Sequence, residues 1–177
     1  MKYVSRLCLF FLLIIPATLF AQDLSKLTFE KFTSKDGKFT VLFPGKPHEN
    51  KQKKTTEIGD TLVTTNFVAI GNDLAFFVFF NDYSDIVKNS NPGPMLEGAR
   101  NGIMAKDGEL VEDETIKFGP DKLPARRFLI KKPGGIYVKN MVILKGARLY
   151  QVMVLGKKEL VESKEAEKFC KSFDITK

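Results

Sequence analysis

The chain has 177 residues and a formal charge of +7, with one histidine, two cysteines and no tryptophan. That length suits one ordinary domain, with a core large enough to stand without disulfides. One histidine and two cysteines far apart in sequence cannot supply the four ligands of a structural zinc site, and no GxSxG-type turn offers a nucleophilic serine its elbow.

Residues 1–21 read as a secretory leader. Lys2 and Arg6 form a basic start, Leu7 to Ile15 is an unbroken apolar run, Pro16 interrupts it, and Ala21 supplies the small residue before a cut. The apolar stretch is short against the roughly 20 residues that span a bilayer. Cleavage before Gln22 is therefore expected, leaving a single mature domain over 22–177 with no membrane span. Gln22 stands where lipidation needs a cysteine. The expected location is the periplasm or the extracellular side of a bacterial envelope. Loss of Lys2 and Arg6 leaves 26 basic residues against 21 acidic ones, a net charge of +5 with signs alternating along the chain. No block resembles a nucleic-acid-binding tail. Cys8 leaves with the leader, so Cys170 has no partner for an internal disulfide.

The mature chain reads mainly as strands. A short strand over Phe29–Ser34 turns at Asp36-Gly37 into Phe39–Phe43, where alternate residues are aromatic or branched. Pro44-Gly45-Lys46-Pro47 stops that strand, because neither proline can donate to a ladder. His48 falls in the loop that follows, as a surface residue. Lys46 to Lys54 is the densest basic stretch and reads as a solvated strand edge, with Lys51, Lys53 and Lys54 as the charges an anionic envelope surface would meet. A polar strand from about Asn50 to Ile58 and a β-branched one over Thr61–Ile70 come next. Leu74–Phe80 (LAFFVFF) is apolar on both alternating faces, the mark of a central strand covered on both sides.

After the loop Asn89–Pro94 (NSNPGP), Pro94 suits the first turn of a helix that runs to about Lys106 with Leu96, Ala99 and Ile103 on one face. Strands near Glu109–Lys117, Ala125–Lys131, Ile136–Lys145 and Arg148–Leu155 are separated by Gly119-Pro120, Pro133-Gly134-Gly135 and Gly146. A closing helix over about Leu160–Phe173 carries Ala166, Phe169, Cys170 and Phe173 on one stripe, which places Cys170 as a small buried hydrophobe. Strands joined by short turns are antiparallel. The expected fold is therefore α+β: one antiparallel sheet of six to eight strands, sandwiched by a mid-chain helix and a C-terminal helix.

Four landmarks recur together in order: DGKFTVLFPGKP (Asp36–Pro47), FFNDY (Phe79–Tyr83), ARLYQVMVLG (Ala147–Gly156) and KFCKSFDI (Lys168–Ile175). In this the chain resembles small exported bacterial proteins of the PsbP-like fold. That fold is shared by the PsbP subunit of photosystem II, a nuclear Ran-binding factor and DcrB-type envelope proteins. The resemblance implies an antiparallel sheet between helices and carries no catalytic or ligand residue across. What the fold's members share is docking to other macromolecules, an analogy of fold only.

Three candidate sites follow from the residues. Glu109, Glu112, Asp113 and Glu114 form the acidic cluster, which suits calcium or paired-carboxylate chemistry but lacks the EF-hand spacing; a solvated turn entering a strand is the expected reading. Arg126 and Arg127 alternate to opposite faces, Arg126 with Phe128 and Ile130, as an anion clamp or, as expected, a rim ion pair with the acidic strand. The segment from Asp82 through Tyr83 and Asp85 to Asn91 joins the most buried strand to a helix and offers an aromatic beside acids, which makes it the best candidate for a binding surface, against a plain connection. No catalytic, metal-binding or cofactor-binding residue is assigned. The leading expectation is an exported, non-enzymatic domain that binds a protein or envelope component. The alternative is a carboxylate-dependent enzyme or a calcium-binding accessory subunit of a membrane complex.

Overall fold

The computed structural model describes residues 24–56, 59–83 and 90–176; the expected leader lies outside them. Among the described residues ten strands and three α-helices follow one another. The strands are β1 (Glu30–Ser34), β2 (Phe39–Phe43), β3 (His48–Thr56), β4 (Gly59–Ile70), β5 (Leu74–Asp82), β6 (Glu109–Phe118), β7 (Leu123–Lys132), β8 (Ile136–Lys145), β9 (Arg148–Gly156) and β10 (Asp174–Ile175). Helix α1 (Pro92–Met104) follows β5, and α2 (Lys158–Val161) and α3 (Lys164–Ser172) follow β9.

Seven strands form an antiparallel sheet in the order β3-β4-β5-β9-β8-β7-β6, which matches the six to eight expected. A second sheet, which the sequence reading did not separate, has the order β1-β2-β10. It packs on one face of the large sheet beside α2 and α3, through β2's Phe39, Val41 and Phe43, all at most 1% exposed. The reason lies in the PGKP stop: it ends β2 and frees the chain to change layers before β3 begins. His48 is the first residue of β3 rather than a loop residue, exposed, with its ring 5.6 Å from that of Phe67.

The turn between β1 and β2 depends on close approach. A Cβ on Gly37 would lie 2.5 Å from the Phe39 ring and 2.8 Å from Ser34 Oγ. The Gly37 N–H donates to Ser34 Oγ at 3.0 Å, and the buried Tyr150 hydroxyl donates to the Gly37 carbonyl at 2.9 Å.

The closing helix is two helices, not one. The chain breaks at Glu162-Ser163, where Ser163 Oγ accepts the Ala166 N–H at 3.2 Å and caps α3. Ala166, Phe169 and Phe173 are buried as the stripe requires, and Phe169 stacks against both Phe43 and Phe76. Cys170 is only half-buried, at the edge of that stripe. Ser172 Oγ accepts the Leu42 N–H at 2.8 Å, serving a donor of β2 beyond the short reach of β10.

The opposite face of the large sheet is covered unequally. Helix α1 lies over β7 and β8, with Leu96 buried against Phe128, Ile130, Val142, Leu144 and Leu149. Over β3, β4 and β5 no described element covers that face. Among the described residues no helix is long and apolar enough to cross a membrane.

Candidate functional site

The candidate binding segment divides on inspection. Asp82 ends β5 and receives two hydrogen bonds from Arg148, which opens β9; both are 2.6 Å. Arg148 also donates to the Asp36 carbonyl at 2.7 Å and lies over the Phe80 ring at 5.1 Å. The Asp82 bonds hold its guanidinium well above the usual range, so it is charged at every ordinary pH. Asp82 thus ties two strands to the β1–β2 turn. Asn91 caps α1, its Oδ1 accepting the Gly93 N–H at 2.9 Å. Asp85 lies outside the described residues. Tyr83 donates its N–H to the Ala147 carbonyl at 2.9 Å and leans its ring on the Leu96 cluster. With Asp82 it lines a hollow of about 360 Å³ beside Arg148 and Tyr150, and of the described candidates it alone also lines a groove beside α1.

That groove, of about 380 Å³, runs between α1 and the uncovered half of the sheet. Its origin is the alternation of β5. Leu74, Phe76, Val78 and Phe80 face the second sheet and are at most 5% exposed. Ala75, Phe77 and Phe79 face the other way and are only half-buried, which corrects the expectation that β5 is covered on both sides. The register sets Phe67 beside Phe77, Phe79 beside Gln151 and Phe77 beside Met153. The Phe67, Phe77 and Phe79 rings form a row with centroids 5.8 and 5.5 Å apart.

Polar groups at the α1 end of this row are not all partnered. Asn81, 5% exposed, lines the groove. Asn140 donates from Nδ2 to Gln151 Oε1 at 3.1 Å, while its own Oδ1 is buried without a partner. Buried amides left unpaired cost about 1–3 kcal/mol each. The helix wall is made by Gly98 and Gly102, where an added Cβ would meet nothing within 4 Å. Sequence reasoning missed Phe77, Phe79, Asn81, Gln151 and these glycines as a group. The one available signal was that LAFFVFF needs two covers.

Charge is confined to the far side of α1. Arg126 holds Asp113 with Nε and Nη2, both at 2.6 Å, and reaches Glu97 at 3.3 Å, while Arg100 donates to Asp113 from above. The Asp113 side chain is 17% exposed, and Arg126 first, with Arg100, holds its carboxyl below the usual range. Arg127 pairs with Glu114 on the other face, so both arginines form the rim pairs expected of them. Strand alternation, with a bulge between Leu110 and Glu112, splits the acidic cluster: Asp113 faces α1, Glu112 and Glu114 face away, and Glu109 pairs with Lys131 at 3.5 Å. Among the described residues no three His, Cys, Asp or Glu side chains come together as a metal site. In the basic stretch, Lys51 is engaged by Glu49 and Asp36, each at 3.2 Å. Those partners, Glu49 first, raise its pKa. Burial pushes the Cys170 thiol up to about 11, beside Arg127, Lys139 and Glu167 in a separate hollow of about 250 Å³.

No protein-family model and no curated protein matches this chain. Among solved structures it is similar to cyanobacterial PsbP (CyanoP) from Synechocystis sp. PCC 6803, with a TM-score of 0.57 and 10% identity over 84% of this chain and 93% of that one. A protein from Bacteroides thetaiotaomicron matches at a TM-score of 0.45 and 14% identity, over 84% of this chain and 48% of that one. The likeness to CyanoP is one of fold, and the chain has a PsbP-like α+β fold.

Proposed function

We propose that this chain is an exported, non-enzymatic binding domain, and that it docks a protein or envelope component on the uncovered half of its large sheet. One observation carries the reading: β5 is apolar on both faces, and the described chain covers only one of them. A row of half-buried phenylalanines is costly to leave in water and is the composition of an interface centre. The fold is compatible with docking, and the leader over residues 1–21 supports export. Carboxylate catalysis and calcium binding have no comparable support, because Asp113 is engaged by two arginines and its acidic neighbours point elsewhere.

The test is a photoreactive side chain placed at Val63 or Gln151, on the groove, and at Lys131, outside it, followed by irradiation in the native cell. Discrete adducts from the groove positions and none from Lys131 are expected. Equal labelling from all three, or none from the groove, would remove the docking reading.

A further inference from the structure

We infer that the occupant of the open face is a second copy of this chain, with α1 of each copy seated on the bare half of the other's sheet; the inference rests on the docking reading above and names its partner. The shape of the face carries it. One half of the sheet bears a helix and the adjoining half bears no described element, so the described surface is a step one helix high. A two-fold axis lying along the strands between two facing copies turns each step over and slides it into the other. The pairing is isologous, closes on itself and leaves no second open step.

The surface chemistry of α1 fits this use. Its 13 residues include only two charges, Glu97 and Arg100, and both are turned toward β6 and β7 and paired there. The sides that face the groove and the solvent carry Pro94, Gly98, Asn101 and Gly102, with the exposed Glu97 carboxylate at one flank. A solvent-facing helix surface normally carries several charges; this one exposes only Glu97, at the flank nearest β7, and its Gly98 and Gly102 side is suited to burial. Gly98 and Gly102 lie one turn apart with open space at each Cβ position, so two α1 helices can approach closely along that line. Across the axis, the Gly98 and Gly102 side of one α1 meets Phe67, Phe77 and Phe79 of the other copy.

The area is sufficient. Three strands about 4.8 Å apart and about 20 Å long offer on the order of 300 Å². Two free sides of a helix about 20 Å long and 10 Å across add slightly more. Together they approach the roughly 800 Å² per partner of a standard stable interface.

The experiment is sedimentation equilibrium on the full chain from low micromolar to several hundred micromolar, with circular dichroism as the check on folding. Wild type is expected to be a dimer. Gly98→Lys and Gly102→Lys add side chains into open space in the single chain, so each should keep its helix and strand signal while dimer affinity falls by about a hundredfold, since a charge would be buried unpaired. Gly98→Cys, close to the axis, should form an intermolecular disulfide with its own copy under mild oxidation, and Lys117→Cys should not. A dimer indifferent to both lysine variants would overturn this interface. A wild-type monomer at every concentration would also overturn it; if the groove positions still crosslink to another molecule, the docking reading stands, and if they do not, both fall.

Discussion

The two faces of the large sheet are built from equally apolar strands and end in different states. On one face Phe76, Val78 and Phe80 meet the second sheet and α3 and are at most 5% exposed. On the other, Phe77 and Phe79, one residue away in sequence, meet a single helix at their edge and remain half-buried. Hydrophobic alternation sets which side chains share a face; it does not set how many covering elements the chain provides. Covers come from segments far away in sequence, and this chain places more of them on one side than on the other.

The largest expected effect tests that contrast directly. Phe76→Ala, at a fully buried site touching Phe29 and Phe169, should cost about 3–5 kcal/mol. Phe77→Ala should cost about 1 kcal/mol in the monomer. Urea melts of both variants, at a concentration where the chain is monomeric, measure the difference. Equal losses would mean that the second face is covered after all.

The next effect concerns what pins α1 to its half of the sheet. Asp113→Ala leaves Arg126 and Arg100 without their shared carboxylate and should cost about 1–3 kcal/mol. The pH dependence has a definite sign. The Asp113 carboxyl is depressed in the folded state by Arg126 and Arg100, so its stabilisation is complete above the unfolded value of about 3.9 and is lost as pH falls toward the lower folded value. Thermal melts between pH 6 and pH 3 should fall less steeply in Asp113→Asn than in wild type. Parallel curves would show that the network is not coupled to folding.

A smaller effect is expected at the helix start. Asn91→Ala removes the acceptor of the Gly93 N–H and should cost about 1 kcal/mol, with amide exchange accelerated first in α1. Protection lost instead in β5 would mean that Asn91 acts through the preceding segment.

The smallest effect lies on the better-covered face. Cys170→Ser should cost about 1 kcal/mol or less, because the half-buried side chain borders an open hollow. With the thiol pushed up to about 11, alkylation at pH 8 should be roughly tenfold slower than that of an exposed cysteine. Labelling at the exposed rate would place α3 differently on the sheet.

Much of this protein is legible without coordinates. The strands fall close to where alternation and the Gly and Pro stops put them, and Leu96, Ala99 and Ile103 do face the core beside α1. Arg126 and Arg127 do point to opposite faces and pair with the acidic strand, because a period of two is a local property of the backbone. Ser163, by contrast, was read as part of a helix and instead begins one, since capping competes with helix continuation at a serine. The candidate site was legible only at its edge, in Tyr83. Asp82 and Asn91 carry suitable chemistry but spend it on Arg148 and on the start of α1, and which partner a polar side chain finds depends on chain brought in from elsewhere.

Sequence alone therefore determines most of the strands and the place of α1, the antiparallel pairing of neighbours, and the apolar character of both faces of β5, because each follows from local periodicity and short connections. Tertiary structure alone decides that β1, β2 and β10 leave the large sheet, that Asp113 is shared by two arginines, and that α1 covers β7 and β8 but not β4 and β5. These outcomes depend on how layers of fixed thickness divide a limited number of covering elements, a competition that no single stretch of sequence records.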